Sequence, residues 1–555
     1  MKRVLTISLT CALLCIMHGA YGQKQHRTLI IPVEFTDLHF STPISTIDSL
    51  AEALKAYLEP QFSDSTKFVF DVHQVVSAGN SYAYFGANAS HRRDAYAYKM
   101  ASGIYRSLSS RMDFSPYENA DGSLNHLIFI TAGVAESAGG GPDQMWPQYV
   151  ELGENEIPSG LRPRLTAFAM APELGADGKV SGIGLLAHEF GHILGLKDMY
   201  DTDGESSGGV HPGLGATSLM DIGLENDGGH TPPYLNSIER EMLGIGYCTV
   251  IDTCGTYSLE PLHPGGQYCK MPSSDGNKYW LLENRRAQGN DAFIGGEGMY
   301  IYKIDKSDSP SGFSTYYQRT LKALERWQLN QINCNPQHPC AEIVFSPNDG
   351  AASFSPGRFA LTDISTDAGG NISFKVLEPV RIDGISVFQS SAIIAWSVSK
   401  DLGSVEDCRI EWFTQGTPVG SAQVQASADG SCCYTIQGLN PRTSYSFTTT
   451  VSYADGSVFE VSGTFTTRIY RKDIFRFIYL GETERNSDGS FKAGSAIPLV
   501  VYNSVDEEVE WSFNGRQIST GPDGLWTIPD SGTLKAEITN ADGSKEIIIK
   551  EILVR

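Results

Sequence analysis

The chain has 555 residues, 41% of them hydrophobic and 19% charged, with a formal net charge of −22. That length exceeds what one hydrophobic core supports and sets an expectation of three to five domains. The acidic balance, with no run of Lys and Arg to displace phosphate counterions, argues against a nucleic-acid partner, and 57 glycines with 26 prolines point to many turns and a large β contribution.

Lys2 and Arg3 precede an apolar run from Val4 to Met17, followed by the small residues Gly19, Ala20 and Gly22. This order marks residues 1–22 as a signal peptide cleaved after Gly22, since the run is too short for a membrane anchor. Cys11 and Cys15 inside it lack the context of a lipid-modified cysteine. The mature chain is therefore expected to be exported, either secreted or held at the cell surface or in the periplasm, with no transmembrane segment. Its oligomeric state is open. Eight cysteines remain: Cys248, Cys254, Cys269, Cys334, Cys340, Cys408, Cys432 and Cys433. An even number in an exported chain favours disulfides, and none has zinc-knuckle spacing. Cys334 and Cys340 look like a local staple. Cys248, Cys254 and Cys269 compete for partners, as do Cys432 and Cys433 for Cys408.

Arg27 to Phe35 reads as a buried strand, and Ser45 as the cap of a helix whose apolar positions Ile47, Leu50, Ala51, Leu54, Tyr57 and Leu58 recur with helical period. Lys67 to Val76 alternates like a strand, Arg92 to Arg111 reads as a second helix and His126 to Ala132 as a third strand. This succession predicts a mixed α/β sheet with helices packed on it. Ser181 to Leu194 gives a further helix, capped by Ser181 and stopped by Gly195. Beyond about residue 246 the texture turns to short apolar runs between turns, apart from a short helix around Leu321 to Leu329. At 379–468, Trp396 and the string Leu439 to Phe447 resemble the core tryptophan and tyrosine corner of fibronectin type III modules. The last stretch, 469–555, alternates around Trp511 and an Asn514-Gly515 turn, and reads as an immunoglobulin-like sandwich.

The chemistry concentrates in His188-Glu-Phe-Gly-His-Ile-Leu-Gly-Leu-Lys-Asp198. Residues four apart on a helix share a face, so His188 and His192 can hold one ion, and zinc accepts neutral imidazole nitrogens. Glu189 sits beside the zinc-bound water as the base that takes its proton and returns it to the leaving amine. Gly195 can adopt the left-handed conformation that ends the helix and lets Asp198 return as the third ligand.

With Gly195 and Asp198 in place, the segment resembles the metzincin signature in its variant with a third aspartate. HEFGHILGLKDMYD is similar to the zinc segment of the immune inhibitor A family of bacterial secreted metallopeptidases, as are stretches at 30–37, 129–148, 232–244 and 279–305. The resemblance covers about 28 to 305, with an extension to 378 open. It implies a zincin-type catalytic domain (23–246), then a β-rich lobe (247–378), and it implies Met220 as the methionine beneath the metal. Family members commonly carry a long pro-segment, whereas the first strand here starts within about six residues of the cleavage site. Latency would then have to come from elsewhere. Asp113 to Asn125, with Glu118, Asn119, Asp121 and Asn125, falls where relatives can carry a calcium-like loop, although a plain Asp-Gly turn also fits. Asp201 and Asp203 read as helix-exit turn residues rather than ligands. His230 and Tyr234 could stabilise an oxyanion or serve the surface or core, and Gly139 to Gly141 could let a peptide lie along a sheet edge or simply form a loop.

The expected function is a secreted zinc endopeptidase acting on extracellular protein or glycoprotein, with His188, His192 and Asp198 on Zn2+ and Glu189 as base. The competing expectation is a catalytically inactive zincin-derived protein in which the sandwiches bind protein or glycan.

Overall fold

The computed structural model describes residues 24–63, 66–90, 92–200, 213–262, 266–273, 278–305, 341–345, 358–468, 476–481, 483, 485–502, 508–519, 525–539 and 545–555. The expected signal peptide, Asp201, Asp203, Cys334, Cys340 and the helix expected near 321–329 lie outside them. No helix among the described residues is long and apolar enough to cross a membrane. Contacts divide the chain into two compact units. The first holds Met1–Thr253, Tyr257–Ala352 and Ile364–Phe374, and the second Cys254–Thr256, Ser353–Asp363 and Lys375–Arg555.

The first unit is built on a six-stranded sheet. Strands β1 (Lys24–Glu34), β2 (Thr66–Val72), β3 (Leu127–Val134) and β5 (Ala167–Leu174) run parallel, and β4 (Gln148–Glu151) is an antiparallel edge, in the order β2–β1–β3–β5–β4. The short strand Val76–Ser77 also pairs with β1, so the single strand expected over 67–76 is broken in two. Period-two alternation sorts β1 and β3 between the two faces. Leu29, Ile31, Leu127 and Phe129 pack beneath helix α2 (Ala97–Leu108), while Ile30, Ile128 and Ile130 face α1 (Ser45–Leu58) and α3 (Ile183–Leu194). Strand β5 was not expected from its sequence. AFAMAPEL has no β-branched residue and contains a proline, so its strand conformation comes from burial between β3 and β4.

Two expected caps are corrected. Ser45 is the first helical residue of α1, with Ile44 at the cap position and no side-chain cap bond. Helix α3 starts at Ile183 behind Gly182, because a Cβ at 182 would sit 2.2 Å from Gly229 and only glycine permits that approach. Likewise α2 starts five residues later than Arg92. After α4 (Ser237–Leu243) come strands β6 (Tyr247–Val250), β7 (Gln267–Pro272), β8 (Lys278–Arg285), β9 (Gly298–Asp305) and β10 (Ala341–Phe345). They form a five-stranded sheet in the order β10–β9–β8–β7–β6. Tyr268, Tyr279, Leu281, Tyr300 and Tyr302 from this sheet join the same core as α1 and α3. This sheet and the helices on this face of the first unit therefore share one hydrophobic interior.

In the second unit, β11 (Val380–Val387), β12 (Ala392–Val398) and β15 (Ser431–Ile436) form one antiparallel sheet. β14 (Thr417–Gln423), β13 (Val405–Thr414), β16 (Ser444–Tyr453) and β17 (Val458–Thr466) form the other. Trp396 is fully buried between them, and the Tyr445 hydroxyl oxygen accepts the Asn440 N–H at 3.0 Å, the tyrosine-corner bond the sequence suggested. The last module pairs β18 (Glu508–Phe513), β19 (Gly532–Thr539) and β20 (Lys545–Ile552) around a core holding Trp526, with Asn514-Gly515 in the expected left-handed turn and Trp511 half-buried. The disulfides expected for Cys248, Cys254, Cys269, Cys408 and Cys432 are not formed. Cys408 and Cys432 come nearest, with sulfurs 3.7 Å apart against a bond of roughly 2 Å, and the Trp396 indole N–H donates to Cys408 Sγ.

Candidate metal centre

Helix α3 carries the two histidines on one face and ends where Gly195 takes φ +105°, a left-handed C-cap whose N–H returns to Gly191 and His192 carbonyls. Past that reversal Asp198 comes back to the helix. Ligand atoms of His188, His192 and Asp198 all lie within 4.8 Å of one another, and Asp198 Oδ1 is 3.2 Å from each Nε2.

Hydrogen bonding decides what these atoms can do. His188 Nδ1 lies 3.0 Å from the Leu219 carbonyl and His192 Nδ1 2.9 Å from the Leu196 carbonyl. A carbonyl oxygen can only accept, so both Nδ1 atoms carry the proton in neutral rings and both Nε2 atoms present lone pairs. Those lone pairs converge on a carboxylate oxygen that is buried and has no hydrogen-bond partner. Three electron-rich atoms facing one another without a proton among them is the arrangement a cation relieves. The donor set of two imidazoles and one carboxylate suits zinc.

Glu189 is 3% exposed, and its Oε2 also lacks a hydrogen-bond partner. Burial pushes this carboxyl up to about 8, and the Asp198 carboxylate adds to that. Met220 lies beneath the helix with Sδ 2.7 Å from where a Cβ on Gly191 would be, so the glycine between the histidines makes room for it. The turn around Met220 is fastened by buried carboxylates. Asp221 accepts the N–H groups of Leu214, Gly215 and Ile222, while Glu239 accepts the Met220 N–H and the Ser218 hydroxyl.

Two groups at the rim were not anticipated. The Tyr149 ring on edge strand β4 stacks 6.0 Å from the His192 ring, and the Tyr200 ring 6.5 Å from that of His188. Asp94 accepts the Trp146 N–H and the Gln148 side chain just ahead of β4, and burial raises its own carboxyl to about 7. Of the other candidates, Tyr234 has its backbone held by Asp291 and Arg285, and His230 is exposed beside Gly228. Gly139 caps a short 3-10 turn, and a Cβ at Gly140 would sit 2.7 Å from the Ala135 carbonyl oxygen. In the suggested calcium loop the oxygens are engaged internally. Asp121 accepts Ser123, and Asn125 Oδ1 accepts the Asn119 amide, which is the Asp-Gly turn alternative.

Residues 23–232 match the family model described as Immune inhibitor A peptidase M6, catalytic domain. This segment is similar to the catalytic domain of immune inhibitor A-like metallopeptidases. Among relatives, immune inhibitor A of Bacillus thuringiensis subsp. alesti is 28% identical over 265 residues, covering 38% of this chain and 38% of that protein. The pre-pro-metalloprotease PrtV of Vibrio cholerae serotype O1 (strain M66-2) is 32% identical over 99 residues, 17% of this chain and 11% of that one. The alignments thus span well under half the length of either relative. Fibronectin(III)-like modules of Clostridium thermocellum CbhA align at 13% identity over 32% of this chain and 94% of theirs, with a TM-score of 0.13. A likeness that low carries no argument, and the sandwiches are described from their own strands.

Proposed function

We propose that the chain is an exported zinc-dependent endopeptidase acting on extracellular protein or glycoprotein. One observation carries this reading: two Nε2 lone pairs and the Asp198 oxygen converge without a proton, next to a buried glutamate that has an unpartnered oxygen. His188, His192 and Asp198 would hold zinc, which when bound supplies a Lewis acid for a peptide carbonyl and for water. Glu189 takes the proton from the attacking water and delivers it to the leaving amine. Leu219 and Leu196 carbonyls keep both imidazoles in the tautomer that leaves Nε2 available. Strand β4 offers an unpaired edge beside His192 on which an extended peptide can lie, main chain to main chain. Export rests on the basic-apolar-small order of residues 1–22. The domain limits 23–246, 247–378, 379–468 and 469–555 are carried forward as part of this reading.

Glu189→Gln preserves size while removing the base. It should retain zinc at wild-type stoichiometry by elemental analysis and lose on the order of 10²–10⁴ in casein cleavage. Undiminished cleavage by that variant would end the proposed mechanism. Zinc binding by the wild type without turnover on varied proteins would point to the adhesion alternative.

A further inference from the structure

Glu239 lies outside the stretch that matches the family model, yet it meets the metal centre through one peptide group. The peptide joining Leu219 to Met220 presents its carbonyl oxygen to His188 Nδ1–H at 3.0 Å, and its N–H is shared between Glu239 Oε1 and Ser218 Oγ, each at 3.1 Å. Glu239 is completely buried, and its other contacts are all donors. The Ser218 hydroxyl bonds Oε1 at 2.7 Å, and the Asn236 N–H bonds Oε2 at 2.8 Å. Burial raises this carboxyl, and its three donors and the Arg285 charge act against that; with three donors and no hydrogen-bonded acceptor among the described residues, the geometry fits the carboxylate form.

We propose that Glu239 is a positioning residue for the metal ligand His188, acting through the 219–220 peptide. An anion on the N–H side of an amide polarises it and makes its carbonyl a stronger acceptor, because hydrogen bonds in a chain reinforce one another. A stronger acceptor at Leu219 holds the proton on Nδ1 and raises the basicity of Nε2. Metal-binding histidines commonly achieve the same result with a carboxylate bonded directly to the ring. Here a peptide stands between them. The 219–220 peptide is also the one that seats Met220 against Gly191, so Glu239 sets the position of the apolar floor and the orientation of the ring together. Helix α4 supplies Glu239 at the third helical position of a capping box with Asn236, which fixes the carboxylate before any metal arrives.

This inference rests on the zinc reading of the site, and the experiment separates the two. Zinc affinity of the full chain is measured by chelator competition for wild type, Glu239→Gln, Ser218→Ala and Asn236→Ala. Glu239→Gln should weaken zinc about 10- to 100-fold, the range for altered outer-shell partners of metal ligands. Ser218→Ala, which removes one donor to the carboxylate and the second acceptor of the Met220 N–H while keeping the charge, should weaken it by about threefold and covers the case in which the first variant does not fold. Asn236→Ala breaks the same cap without touching the 219–220 peptide, so it should lower Tm while leaving zinc affinity within about twofold. Equal zinc affinity in folded Glu239→Gln, or in Ser218→Ala should the first variant fail to fold, overturns the inference, as would Asn236→Ala losing as much as either of them. Should wild type bind no zinc, the functional reading fails by itself. The His188 tautomer by nitrogen NMR in the metal-free chain then decides: a population moved off Nδ1–H by Glu239→Gln or Ser218→Ala supports the relay, and an unmoved one overturns it.

Discussion

The two compact units bury different things. In the first, His188, Glu189, Asp221, Glu239, Arg240, Glu283, Arg285 and Asp291 are all almost completely inaccessible, many of them within hydrogen-bonding reach of the turn beneath α3. In the second, the buried polar residues among those described are Thr449, Thr450, Thr467 and Ser490, hydroxyl groups without charge. Desolvating an ion costs several kcal/mol, and an apolar replacement of an ion pair is often neutral or stabilising. The sandwiches follow that rule and gain their stability from residues such as Trp396, Phe447 and Tyr453. The first unit departs from it where backbone groups are held in one orientation around the candidate metal ligands.

The sharpest way to break this contrast is at Arg285, fully buried between Asp291, Glu283 and the Thr217 and Tyr234 carbonyls. Arg285→Met strands two carboxylates and should cost about 3–5 kcal/mol, seen by calorimetry as a lowered transition of the first unit alone. A loss under 1 kcal/mol would mean the network does not hold the site. A smaller effect is expected from Asp94, whose carboxyl burial has raised to about 7 from the usual 3.8. Between roughly pH 4 and 7 the folded chain keeps a proton that the unfolded chain has released. Stability from this group is therefore complete below about pH 4 and lost as pH rises through 7, by a few kcal/mol at most. Asp94→Asn should flatten that slope in chemical denaturation across the window, and an unchanged slope would assign it elsewhere. In the second unit, Tyr445→Phe should cost only about 1 kcal/mol by leaving the Asn440 N–H without its acceptor, with zinc affinity untouched.

Local features were legible in the order of residues because their partners are neighbours in the chain. The spacing of His188 and His192, the left-handed Gly195, the tyrosine corner at Tyr445 and the Asn514-Gly515 turn each depend on fewer than ten residues. What needed the fold was every relation across the chain. Strand β5 has no strand-like composition and forms because β3 and β4 enclose it. The start of α3 at Gly182 rather than a Ser181 cap is imposed by Gly229, 47 residues on. Met220 was expected beneath the metal, but the reason it stays there, a carboxylate 19 residues later with a buried arginine nearby, has no signature of its own in sequence. Asn236 and Glu239 read as a helix start, which they are. That the same carboxylate also grips the peptide behind His188 is a matter of packing, since only burial brings a helix cap and a turn together and leaves the charge no water to turn to.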